Sequence, residues 1–285
     1  MRLFRSMMMF ASAALAGVPG TVWGAPSAGD LFNRPRFYLA LDLGYHWPRP
    51  INATSLGLAP DNRPYNWLYR INPDWAAFGR VGYRVSRHWR VEFDAGLRES
   101  NINSIHAPGP NVSGFSVGRP AQPYALCDHH VVPPPCARIA YPHTNWAYAD
   151  DGMINVIYDL LPGKRLNPFV GVGGGIYHLQ FDAHFYFSGV PGPISPANPA
   201  TQQLQLGGSI DRLTQLAAQG IGGFSYRLQR RLALDFVYRF ICAPNLRWNT
   251  LNDTPHLNQR QGLQPHDFHG SAQDETMTVG LRYSL

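Results

Sequence analysis

The stretch Trp89-Arg90-Val91-Glu92-Phe93-Asp94-Ala95-Gly96-Leu97-Arg98 decides the fold. Trp89, Val91, Phe93, Ala95 and Leu97 are apolar. The residues between them, Arg90, Glu92, Asp94, Gly96 and Arg98, are charged or lack a side chain. Successive side chains of a strand point to opposite faces, so this segment carries one apolar wall and one charged wall. A strand in lipid turns its apolar wall outward, and a closed barrel lets the charges pair inside.

Seven other segments repeat the pattern at about the 9–11 residues with which a tilted strand crosses a bilayer. In 36–47, Phe37, Leu39, Leu41, Leu43, Tyr45 and Trp47 oppose Ala40, Asp42, Gly44 and His46. In 78–85, Val81, Tyr83 and Val85 oppose Arg80, Gly82 and Arg84. Segment 146–161 sets Ile154, Val156, Tyr158 and Leu160 against Asn155 and Asp159. Segment 167–181 has a glycine-rich centre, 171–175, that hides the phase and reads as the place for a bulge or kink. Segment 214–228 sets Phe224, Tyr226 and Leu228 against Gln219, Ser225 and Arg227. Segment 231–240 sets Leu232, Leu234, Phe236, Tyr238 and Phe240 against Arg231, Asp235 and Arg239. In 276–285, Met277, Val279, Leu281, Tyr283 and Leu285 oppose Thr278, Gly280, Arg282 and Ser284.

Soluble sandwiches alternate too, so the connections matter. Tight turns at 86–88, 162–165 and 229–230 are interleaved with long segments at 48–77, 99–145, 182–213 and 241–275. Short periplasmic turns and long outer loops are the sidedness of outer-membrane barrels. Four loops of that length are out of place in a compact soluble domain. The fold expected is all-β: an eight-stranded antiparallel up-and-down transmembrane β-barrel.

Composition agrees. Of 285 residues, 45% are hydrophobic and only 15% charged, a light charge load for a wetted surface. Beyond the N-terminus no run approaches the roughly 18 apolar residues a spanning helix needs. The net charge of +6 comes from scattered arginines, Lys164 being the only lysine. No basic stripe or recognition motif accompanies it, so nucleic acid is not an expected partner. Arg2 and Arg5, the apolar run 7–17 and the small residues Gly24 and Ala25 read as a cleaved signal peptide over 1–25. Residues 26–285 are then the barrel domain, located in the outer membrane of a Gram-negative cell envelope.

The strands resemble the OmpA-like outer-membrane β-barrel domain family. The resemblance lies in 36–45, RFYLALDLGY, in 78–83, FGRVGY, and in 89–96, WRVEFDAG. It continues in 153–160, MINVIYDL, and 168–175, PFVGVGGG, and closes with 220–228, GIGGFSYRL, and 279–283, VGLRY. It covers the mature chain apart from the long loops. Two departures matter. The chain ends in Leu285 rather than an aromatic, with Tyr283 two residues before it. Nothing follows the eighth strand, so the peptidoglycan-binding domain of full-length relatives, and tethering to the cell wall, are not implied. The resemblance specifies the barrel and implies outer-membrane lipid, lipopolysaccharide and the barrel-assembly machinery as partners of a monomer.

The candidate site is a lumen charge network of Arg80, Arg84, Glu92, Asp94, Arg98, Asp159, Arg227, Asp235, Arg239 and Arg282. Buried charges must pair or cost several kcal/mol each. An eight-stranded interior is just wide enough for side chains, so the network reads first as a plug. With six arginines against four carboxylates, any residual narrow pore prefers anions. Cys127 and Cys136 fall in the second long loop and read as a disulfide. His129 and His130 between them form no recognised zinc spacing, and Cys242 is left over. His256, His266 and His269 lie in a polar loop and read as solvated. No metal or cofactor is expected.

A lipid-modifying barrel enzyme, an acyl hydrolase or transferase, needs a serine, a histidine and an orienting group. His46, His178, His184, Ser188 and Ser225 are available, but none lies in a nucleophile motif. The chain is therefore read as no enzyme, with a structural or surface-interaction role through its long loops and an unknown ligand there. The lipid-modifying enzyme and a carrier of small hydrophobic ligands remain the alternatives.

Overall fold

Alternation of side chains becomes an unbroken wall of strands in the computed structural model, which describes residues 36–58, 64–106, 122–126, 145–188, 205–248 and 267–285. The strands are β1 (Phe37–Pro48), β2 (Ile51–Leu58), β3 (Pro64–Ile71), β4 (Asp74–Arg84), β5 (Trp89–His106), β6 (Gln122–Leu126), β7 (Trp146–Asp159), β8 (Leu166–Ser188), β9 (Gln205–Arg227), β10 (Leu232–Trp248) and β11 (Phe268–Ser284). Eight of them close an antiparallel ring in the order β1, β4, β5, β7, β8, β9, β10, β11. The last joins the first from Tyr38↔Ser284 to Pro48↔Asp274. Closure leaves no strand edge in lipid, which is why only a barrel can cross with strands.

The strands run well past the eight expected segments, and this corrects the loop lengths. The segment 48–77 is not a loop. It holds β2 and β3, which continue the first two ring strands past breaks at Pro48–Pro50 and Asn72–Pro73. There β2 pairs with β11 through Thr54↔His269, and β3 pairs with β5 through Tyr69↔Ile105. β8 and β9 have 23 residues each, about twice what the bilayer requires. The breaks come from proline, which has no N–H for the ladder.

The two halves of the wall have opposite polarity. In the lower half, Leu41, Leu43, Val172, Ile154 and Leu281 face outward and are more than half exposed. Asp42, Arg80, Glu92, Asp94 and Arg239 face inward and are buried. Above the breaks the order inverts. Trp67, Tyr69, Phe181, Leu246, Trp248 and Phe268 fill the interior as one apolar core, while Asn52, Asn66, Arg70, Arg212, Arg247 and His269 are exposed on the outside. Tyr45, Trp47 and Trp75 mark the outer height at which the polarity changes. Phe37, Trp89 and Tyr283 mark the inner rim. Aromatics at both edges of an apolar band are the membrane girdles of a barrel. The lower half therefore lies in lipid and the upper half stands in water.

The glycine-rich centre of β8 holds no bulge. Its register with β7 and with β9 is continuous from end to end. The glycines there serve packing. A Cβ on Gly173 would sit 1.9 Å from Asn155 Oδ1, so the Asn155 side chain occupies the space that any other residue would need.

Leu41, 74% exposed at the middle of the apolar band, supplies a direct test. Leu41→Arg is expected to destabilise the barrel in phospholipid vesicles by about 2–4 kcal/mol. Arg247→Leu, in the water-facing half, should stay within about 0.5 kcal/mol in the same urea titrations. Equal effects at the two positions would contradict the assignment of the halves.

Candidate functional site

Strand alternation puts one inward side chain every second residue, and in the lower half most of these are ionisable. Asp42 on β1 lies at the centre. Its Oδ1 accepts from Arg80 Nη2 at 2.7 Å, and its Oδ2 accepts from Arg239 Nη2 at 2.6 Å. Arg80 also reaches Asp235 at 3.0 Å and Glu92 at 3.1 Å. Arg239 also reaches Asp94 at 3.2 Å and donates to Thr278 Oγ1 at 2.8 Å. Towards the periplasm Arg282 pairs with Asp235 at 3.3 Å and donates to Ser225 at 2.9 Å. Arg84 and Arg90 meet on Asp159 at 2.9 and 3.3 Å. Towards the outside Arg98 pairs with Asp151 and, at 3.6 Å, with Asp274.

Aromatic faces pack between these charges. Phe78 lies beneath both Arg239, at 4.0 Å from the ring centre, and Arg98, at 4.8 Å. Phe169 carries Arg90 at 4.6 Å, and Tyr38 donates its hydroxyl to Glu92 at 2.8 Å. Guanidinium groups stacked on rings with their edges free for carboxylates suit arginine and not lysine.

Nine of the ten network residues read from the sequence meet in this lumen. The tenth, Arg227, does not. It is exposed at the periplasmic mouth and donates to the Gly163 carbonyl of the turn between β7 and β8. Strand phase alone assigned it inward, but the wall ends there. Four members were missing from the sequence set: Arg90, Asp42, Asp151 and Asp274. Among the described residues the lumen sets arginines 80, 84, 90, 98, 239 and 282 against acids 42, 92, 94, 151, 159, 235 and 274. The excess of arginine, and with it the reason for anion preference, disappears.

Directly above the network three strands bring His46, Ser100 and Asp274 together, each 3% exposed. His46 Nδ1 is 2.8 Å from Asp274 Oδ2, and its Nε2 is 3.0 Å from Ser100 Oγ. The Glu99 carbonyl lies 3.1 Å from the same Nε2. A small cavity of about 20 Å³ is lined by all three residues together with Arg98. His46 stood among the histidines read from the sequence. Its partners did not, because Ser100 and Asp274 lie in segments read as loop. A polar residue inside a lengthened strand was the missing signal.

Of the other candidates, Ser225 serves Arg282. His178 lies on the outer wall, 2.7 Å from Thr214 Oγ1. His269 is exposed and paired through its backbone to β2. Cys242 is a half-buried free thiol. The signal segment, Cys127, Cys136, His129, His130, His256 and His266 lie outside the described residues, as do the side chains of His184 and Ser188.

No family model matches the chain, and no curated protein matches it by sequence. Solved structures do match. The outer membrane protease OmpT from Escherichia coli is 9% identical with a TM-score of 0.50, covering 89% of this chain and 98% of its own. The outer membrane protein OprG from Pseudomonas aeruginosa is 10% identical with a TM-score of 0.44, covering 90% and 100%. Neisserial surface protein A is 12% identical with a TM-score of 0.42, covering 87% and 97%. At these identities the likeness is one of fold. The fold shared with OmpT, together with the apolar band and its aromatic girdles, makes this chain a β-barrel of the outer membrane.

Proposed function

We propose that the chain is a closed OmpA-like barrel whose role is structural and surface-directed. The observation that carries this reading is the doubly filled interior, with a paired charge network inside the lipid-embedded half and an apolar core inside the half above it. A water-filled path needs a polar lining that solvent reaches, and ligand carriage needs a cavity larger than about 20 Å³. Both barrel halves spend their inward side chains on each other.

The upper half stands in water beyond the apolar band and leads into the outer connections. In this reading they meet a surface ligand, while the band below contacts lipid as a monomer assembled by the barrel machinery. The narrow pore is dropped from the proposal because the charge excess that gave it selectivity is gone. Purified protein in planar bilayers is expected to give no sustained conductance steps at neutral pH. Reproducible steps, of either ion preference, would show an open path and end the reading.

A further inference from the structure

We propose that Ser100, His46 and Asp274 form a serine-nucleophile relay that acts on acyl esters of membrane lipid. The geometry is that of a relay in order. Asp274 fixes His46 through Nδ1 at 2.8 Å, and His46 presents Nε2 to the Ser100 hydroxyl at 3.0 Å. The three residues come from β11, β1 and β5, so ring closure is what assembles them. Arg98 Nε, 3.6 Å from Asp274, steadies the carboxylate. These groups also tie three strands together, and a purely structural tie predicts the same distances. Three further features point to chemistry.

The first is space. The cavity against Ser100 has room for about one water, and most of the remaining lining is apolar: Ile51, Ile71, Ala147 and Leu179. The same four residues also border a second cavity deeper in the upper half, so the surroundings beside the hydroxyl are apolar. The second is unsatisfied polarity. Arg98 Nη2 and Asp274 Oδ1 are buried without hydrogen-bond partners among the described residues. Arg98 thus keeps a donor free for the oxyanion of a tetrahedral intermediate. The third is the wall. Its ladder, continuous at His46, passes from β1 to β2 just above that residue. The register of β1 with β11 runs to Pro48↔Asp274, Arg49 N–H still donates to the Gln273 carbonyl at 2.8 Å, and β2 is in register with β11 at Thr54↔His269. This change of strand, and the relay beside it, lie at the height of Trp47 and Trp75, where the ester groups of outer-leaflet lipid sit.

In the reaction Ser100 Oγ adds to the ester carbonyl and its proton passes to His46 Nε2. The Glu99 carbonyl at 3.1 Å holds the imidazolium so formed. The alcohol leaves with that proton, and water then releases the acyl group from Ser100, regenerating the hydroxyl. The sum is ester plus water to acid plus alcohol.

Full-length protein folded in detergent, treated with a fluorophosphonate, is expected to gain one adduct that maps to the Ser100 peptide. It should also hydrolyse p-nitrophenyl butyrate. Ser100→Ala should lose both activities. Asp274→Asn should slow both by about a hundredfold and shift the pH profile, which a mere strand tie would not do. Ser100→Cys should move the reactivity to iodoacetamide, a check independent of whether the alanine variant folds. Folded wild type that takes no adduct, or an adduct that survives in Ser100→Ala, overturns the proposal.

Discussion

Asp42→Ala is expected to cost the barrel about 3–5 kcal/mol, because it leaves two buried guanidinium groups without their shared counter-ion. Arg80 and Arg239 both have side chains 1% exposed, and Asp42 is completely enclosed between them. Neither arginine can turn to water, since each is also held by a second carboxylate and Arg239 lies on the Phe78 ring. The loss therefore exceeds that of a surface pair, which is about 1 kcal/mol or less. The measurement is the urea unfolding midpoint in lipid vesicles, with the slope checked for two-state behaviour. Asp42→Leu combined with Arg239→Met should recover part of the loss, because an apolar pair replaces an ion pair at little net cost. A single variant within about 1 kcal/mol of wild type would mean that water reaches the lumen freely, and the plug would have to be abandoned.

The second large effect is expected at the other end of the barrel. Trp248 is 4% exposed in the upper core, edge-to-face with Tyr69 at 6.0 Å and with Phe181 at 5.8 Å. Trp248→Ala opens a cavity in a packed interior and should cost about 3–5 kcal/mol. Its location decides how the loss appears. The upper half is bounded by water on the outside, so its stability comes from this core and not from lipid. The variant is therefore expected to let a protease cut the outer halves of the strands while the lipid-embedded part stays protected. Heat-modifiable migration of the protected fragment reports the intact lower barrel. Uniform protection in both halves, or loss of both together, would contradict two separately stabilised halves.

Much of this architecture was legible in the residues. The pattern at 89–98 gives a strand, the apolar face and the charged face, and all three hold in β5. The eight segments, their antiparallel order and the tight turns follow from the same period of two and from the short connections. The upper half escaped because its alternation has the opposite sense. Ile51 and Ala53 point inward and Asn52 outward, where the lower half points Leu41 and Leu43 outward. A one-residue slip at Pro48–Pro50 exchanges the phase and hides the continuity.

The sequence by itself determined that the chain alternates, how many strands close the ring, and which residues meet lipid. Those are local properties of a period-two chain in extended form. It did not determine what the second face meets, since alternation separates two faces without saying which environment each one finds. The tertiary structure decided that. It placed the bilayer edge across the middle of the strands, drew Asp42 between Arg80 and Arg239, and brought His46, Ser100 and Asp274 within hydrogen-bond reach. The members of that last group lie 54 and 228 residues from His46, and only ring closure and strand stagger can bring them to one point.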